Sequence, residues 1–195
     1  MRILRLDYFV WLICIAAVIC GLGALWDYSN KPGLPATAQS LWPTNAHFLR
    51  DPNFPTLVMF IHPRCDCSEA SMSELNQITA QINSKLNTVI IFVTAPNSDN
   101  SWKNTALWAG AKLIPNAQIL LDKGALEADR FGAKTSGQVL LYDKQGHLVF
   151  SGGITNTRGH LGDSSGKTAV ISFVNENRLD HPSTPVFGCV LKDYS

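Results

Sequence analysis

TLVMFIHPRCDCS, residues 56–68, is the stretch whose reading decides the fold. Thr56 to His62 is short, β-branched and almost continuously apolar, as expected of a central strand covered on both faces. It leads through Pro63, Arg64, Cys65, Asp66 and Cys67 into a segment where Met72, Leu75, Ile78, Ile82 and Leu86 recur at steps of three and four. That spacing predicts an amphipathic helix with Glu74, Gln77, Gln81 and Lys85 on its polar side. Two cysteines therefore stand where a buried strand hands over to a helix.

Outward from this unit, Thr88 to Ala95 (TVIIFVTA) reads as a second buried strand, and Ala117 to Asp122, Gln138 to Asp143 and His147 to Ser151 as further strands. Lys144-Gln145-Gly146 turns the last two into a hairpin. Helices are expected over Ser101–Ala111, Ala125–Phe131 and Lys167–Asn177, the last with Val170, Ile171, Phe173 and Val174 on its apolar side. Strands and helices alternate first and a hairpin follows, which is an α/β arrangement.

Toward the N-terminus, Tyr8 to Trp26 (YFVWLICIAAVICGLGALW) is an uncharged apolar run of 19 residues, long enough as a helix to cross a hydrocarbon layer about 30 Å thick. Arg2 and Arg5 precede the run and Asp27 follows it, so the positive-inside tendency leaves residues 1–7 in the cytoplasm and the remainder in a periplasm or another extracytoplasmic space. A cleaved secretory signal is the rival reading, but its apolar centre would be shorter, and Gly21, Gly23 and Ala24 offer only a poor cleavage site. Residues 27–54 carry Pro32, Pro35, Pro43 and Pro52 with no sustained apolar period, and are expected to be an extended linker. One domain, residues 55–195, remains. A net charge of +1 with 16% charged residues gives no basic field for nucleic acid.

Phe60-Ile61-His62-Pro63-Arg64-Cys65 running into a helix resembles the strand, active-site cysteine and helix of thioredoxin-like proteins. More narrowly, His62-Pro63-Arg64-Cys65-Asp66-Cys67-Ser68, Ser151-Gly152-Gly153-Ile154-Thr155 with Arg158-Gly159-His160, and Thr184-Pro185-Val186-Phe187-Gly188-Cys189 resemble the RedB-type group of membrane-anchored thioredoxin-like proteins. The resemblance implies a central mixed sheet flanked by helices behind one transmembrane helix, and protein thiols or disulfides as partners. It also makes Cys65 the attacking cysteine and has Ser136 and Gly137 border the substrate, with Gly137 where ordinary thioredoxins carry a cis-proline. Ser68 stands where their resolving cysteine would be.

A cysteine at a helix N-terminus is favoured as thiolate by unsatisfied N–H groups and the helix dipole. Arg64 and His62 add to that effect, while Asp66 and Glu69 oppose it. A Cys65–Cys67 disulfide would close a very small, strained ring, so Cys189 is a second candidate partner if the C-terminal tail folds back over the helix start. Cys65 attacking a disulfide or oxidised thiol, with Cys67 or Cys189 resolving the mixed species, is the expected chemistry and requires no cofactor. A purely structural Cys67–Cys189 crosslink is the bland alternative. Cys14 and Cys20 read as small apolar residues of the membrane run. Charged neighbours on both sides of Cys65 suggest an accessible turn.

His62, Cys65 and Cys67, with His181 or Cys189 brought near by folding, form the alternative set, whose sulfur and imidazole ligands suit copper(I) or zinc, with a copper-binding chaperone the leading form of that reading. His160 lies in a glycine-rich loop flexible enough to approach the cysteines and bind substrate or gate access. Gly162-Asp163-Ser164-Ser165-Gly166 matches a serine-hydrolase nucleophile loop only in part and has no upstream histidine and aspartate as partners.

Overall fold

The computed structural model describes residues 2–82 and 85–192. Met1, residues 83 and 84, and the last three residues of the expected domain lie outside that range. The chain divides into two units, residues 1–31 and 32–195.

The first unit is a single helix, α1 (Arg2–Asn30). Its segment Tyr8–Asn30, with a mean hydropathy of 2.4, is long and apolar enough to cross a membrane.

The second unit is built on a five-stranded sheet in the order β3-β2-β1-β4-β5. β1 (Thr56–Ile61), β2 (Asn87–Thr94) and β3 (Gln118–Lys123) are parallel, while β4 (Gln138–Tyr142) runs antiparallel to β1 and β5 (Leu148–Gly152) antiparallel to β4. The near-continuous apolar run of β1 has the expected cause, because the strand is central and covered on both faces. Leu57, Met59 and Ile61 pack with α2 (Ser68–Gln81), α3 (Ala106–Lys112) and α5 (Ser165–Glu176), while Val58 and Phe60 pack on the other face against α4 (Leu126–Phe131).

Three elements differ from the sequence expectation. The helix expected over residues 101–111 is broken into a 3-10 turn, Ser101–Asn104, and α3, because Thr105 adopts an extended conformation and caps α3 by accepting the Trp108 N–H at 3.3 Å. Glu74, placed on the polar side of α2, is fully buried. Its carboxylate meets the Lys167 ammonium of α5 at 2.7 Å and accepts the Gly162 N–H at 2.7 Å. Residues 32–54 of the expected extended linker are largely extended and belong to the second unit, against whose sheet and α4 they pack. Thr37 N–H donates to the Gly132 carbonyl, Leu148 N–H to that of Ser40, and Trp42 packs edge-on to Phe48, Phe131 and Tyr142. Spaced aromatics carry that packing, and they leave no periodic trace in a proline-rich sequence.

Candidate functional site

β1 ends at Ile61, and the next six residues make two tight turns before α2 begins. Cys65 N–H donates to the His62 carbonyl at 3.1 Å and Ser68 N–H to that of Cys65 at 2.9 Å. Arg64 and Asp66 point to solvent, as their charge requires, and this alternation turns Cys65 inward. It is fully buried, which corrects the expectation of an accessible cysteine. Cys67 is the half-buried N-cap residue of α2 and makes no side-chain capping bond.

The C-terminal tail supplies what covers Cys65. Thr135 and Val190 form an antiparallel bridge, Ser136 N–H donates to the Cys189 carbonyl at 2.8 Å, and Leu191 N–H donates to that of Lys134 at 3.0 Å. The tail thus lies as a short strand along the backbone leading into β4. Its close approach depends on Gly188, where a Cβ would fall 2.0 Å from the Ser136 carbonyl oxygen. Cys189 is thereby set against Cys65, with the sulfurs 2.7 Å apart and the Cys189 N–H donating to the Cys65 sulfur at 3.2 Å.

The surroundings separate the two sulfurs electrostatically. Burial acts to raise the Cys65 pKa, but hydrogen bonds from the Cys189 thiol, the Ser68 hydroxyl, the Cys189 N–H and the Ser136 hydroxyl outweigh it and bring the thiol below its ordinary range. Ser68 and Ser136 are held for this role, with their oxygens 2.8 Å apart and the His62 N–H donating to Ser136 Oγ at 2.8 Å. Cys189 moves the other way. Burial, its hydrogen bond to Cys65 and the negative charges of Cys65 and Cys67 push it up to about 12, with Arg158 opposing.

Cys65, Cys67 and Cys189 lie with all their sulfurs within 4.8 Å of one another, and among the described residues neither His62 nor His181 belongs to that cluster. His62 borders it through its backbone and through Nδ1, which accepts the Arg64 N–H at 3.4 Å. Ser136 is buried under the tail. Gly137, with φ +85°, donates its N–H to the Phe60 carbonyl at 2.8 Å. The backbone expected to border a substrate is therefore occupied by the protein's own tail. His160 is exposed on its loop, outside the sulfur cluster.

Arg158, two residues before His160, reaches the site instead and donates from Nη1 to the Gly188 carbonyl at 2.7 Å. Arg158 stood in one of the motifs read from the sequence, but its contact with the tail did not, nor did the Glu74–Lys167 pair that fastens its loop at Gly162, because both depend on contacts across long separations. Ser164, set aside above as a nucleophile, caps α5 by accepting the Lys167 N–H at 3.1 Å.

Parallel β1, β2 and β3 beside an antiparallel β4–β5 hairpin, with a cysteine turn entering α2, settle the architecture. The fold is thioredoxin-like. A hypothetical protein of Sinorhizobium meliloti 1021 overlays with a TM-score of 0.58 at 20% identity, over 83% of this chain and 94% of that one. An uncharacterized conserved protein of Geobacillus kaustophilus gives 0.59 at 16% identity, over 84% and 92%. A secreted Mycobacterium tuberculosis disulfide oxidoreductase homologous to E. coli DsbE gives 0.44 at 16% identity, over 63% and 81%. No family model matches the chain, and no curated protein matches it in sequence.

Proposed function

We propose that this chain is a membrane-anchored, extracytoplasmic thiol/disulfide redox protein of the RedB type, in which Cys65 and Cys189 form a two-electron couple and protein thiols or disulfides are the partners. The observation that carries the reading is the meeting of two sulfurs 124 residues apart at 2.7 Å, brought about by backbone pairing of the tail. Oxidation of the pair joins the two sulfurs and gives up two electrons and two protons to a disulfide-bearing acceptor, which becomes two thiols. Hydrogen bonds to the Cys65 thiolate stabilise the reduced form, and such stabilisation makes a couple more oxidising. The anchor is α1, and the arginines before its apolar run support a cytoplasmic N-terminus, which leaves the cysteines in a compartment where disulfides persist.

The test uses the full chain in detergent micelles, poised across a series of thiol redox buffers and read by alkylation and mass spectrometry. A reversible two-electron transition joining Cys65 to Cys189 is the expected result. Thiols that stay reduced throughout would overturn it.

A second reading, binding of copper(I), has one observation in its favour, which is that three sulfurs are already gathered within 4.8 Å. An all-thiol donor set suits a soft cation. Retention of stoichiometric copper(I) by the reduced chain would support this reading, and failure to retain it would remove it.

A further inference from the structure

Resting on the redox reading above, we infer that a substrate thiol meets the oxidised couple at Cys189, with Cys65 as the buried leaving sulfur, so that the protein acts as an oxidant of dithiols.

Thiol–disulfide exchange requires the incoming sulfur to approach in line with the bond that breaks, from the side opposite the leaving sulfur. On Cys65 that approach is closed. The residue is fully buried, with Ser68 and Ser136 as its neighbours within the domain, both also fully buried. The neighbouring backbone edge, which an extended substrate would need, is taken by the tail through the Ser136–Cys189 and Lys134–Leu191 hydrogen bonds. Cys189 is only half-buried, so of the two sulfur-bearing residues it is the one that keeps surface open to solvent. The tail thus lies where a substrate strand would, and Cys189 is presented to Cys65 as an internal substrate.

The departing sulfur is also provided for. As the bond opens, negative charge gathers on Cys65 Sγ, toward which the Cys189 N–H already points at 3.2 Å. The first step is attack by a substrate thiolate on Cys189 Sγ. The Cys65–Cys189 bond breaks, its electron pair leaves on Cys65, and a substrate–Cys189 disulfide forms. In the second step the other thiol of the substrate, as thiolate, attacks the substrate sulfur of that mixed disulfide and releases Cys189, which takes up a proton. The substrate has become a disulfide and the couple a thiolate and a thiol. Return of the couple to its disulfide consumes one disulfide-bearing acceptor, reduced to two thiols.

The experiment uses the oxidised full chain in detergent carrying Cys67→Ser, which removes the third thiol as an alternative landing site. A peptide with a single cysteine is added in excess, and the reaction is stopped early with acid, alkylated and mapped by mass spectrometry. At least about tenfold more peptide on Cys189 than on Cys65 is expected, with Cys65 recovered as the released, alkylated thiol. The unsubstituted chain under the same quench should also release Cys65 first. Starting protein with an intact Cys65–Cys189 disulfide but with the peptide on Cys65 would overturn this inference alone. Absence of that disulfide from the oxidised protein would overturn the redox reading with it.

Discussion

Replacing Gly188 by alanine tests the tail's role directly. The new Cβ would fall 2.0 Å from the Ser136 carbonyl oxygen and 3.0 Å from its carbon, both backbone atoms of the segment that leads into β4 and unable to yield as a flexible side chain would. Overpacking of this kind costs about 1–3 kcal/mol. Among the contacts that hold the tail against it are the bonds of Ser136 N–H to Cys189, Leu191 N–H to Lys134 and Arg158 to Gly188. At about 0.5–1.5 kcal/mol each, these three sum to about 1.5–4.5 kcal/mol. A penalty of that size weakens the attachment directly, so Gly188→Ala should raise the population with the tail detached by about five- to 150-fold. Detachment uncovers Cys65 and removes the Cys189 donors that favour its thiolate. Where opening and closing are fast, the rate of alkylation follows the open population. The assay is the alkylation rate of Cys65 in the reduced full chain, read by mass spectrometry, beside the rate of Cys65–Cys189 disulfide formation. Alkylation should rise at least about fivefold and disulfide formation should slow. Both rates unchanged would refute the account of a tail held by close backbone contact.

Three further outcomes are expected. Folding lowers the Cys65 pKa, so its thiolate contributes stability to the reduced protein above the unfolded thiol pKa, and that contribution is lost as pH falls through the folded value. The raised Cys189 contributes below the unfolded pKa and loses its contribution as pH rises toward about 12. Ultraviolet thiolate absorbance should therefore show one thiol titrating below the ordinary range, and Ser68→Ala should move that step upward; an unmoved step would exclude the hydroxyl as its cause. Glu74→Ala leaves the buried Lys167 ammonium without its carboxylate, bonded still to Gln77, and should cost about 3–5 kcal/mol in chemical denaturation, with the loop around Gly162 becoming a site of proteolysis. Trimming the chain to begin at Pro55 removes Trp42 and Phe48 from the aromatic cluster on Phe131 and Tyr142. The shortened domain should be less stable than one beginning at Pro32 by at least about 3 kcal/mol, measured by urea unfolding.

The strands and helices were legible because they depend on local pattern. The continuous apolar run of β1 marked a strand buried on both faces, and the three-and-four spacing from Met72 to Ile82 marked the inner side of α2. Glu74 was misplaced for the same reason that the rest was right. Periodicity assigns a charged residue to solvent, and only the arrival of Lys167 and Gly162 from elsewhere makes its burial affordable.

For the site, the amino-acid order by itself determined that cysteines would stand at the junction of a central strand and a helix, and that a Cys-x-Cys disulfide would close a small, strained ring. It left Cys189 as one candidate among two and took Cys65 for an exposed group. Only the tertiary structure decided that the tail pairs with residues 134–136, buries Cys65 and sets Cys189 against it, with Arg158 on the Gly188 carbonyl. The physical reason is that helix and strand periods are written in neighbouring residues. A pairing across 124 residues is held by backbone groups common to every residue type and by the space left at one glycine, and neither leaves a pattern in the sequence to be read.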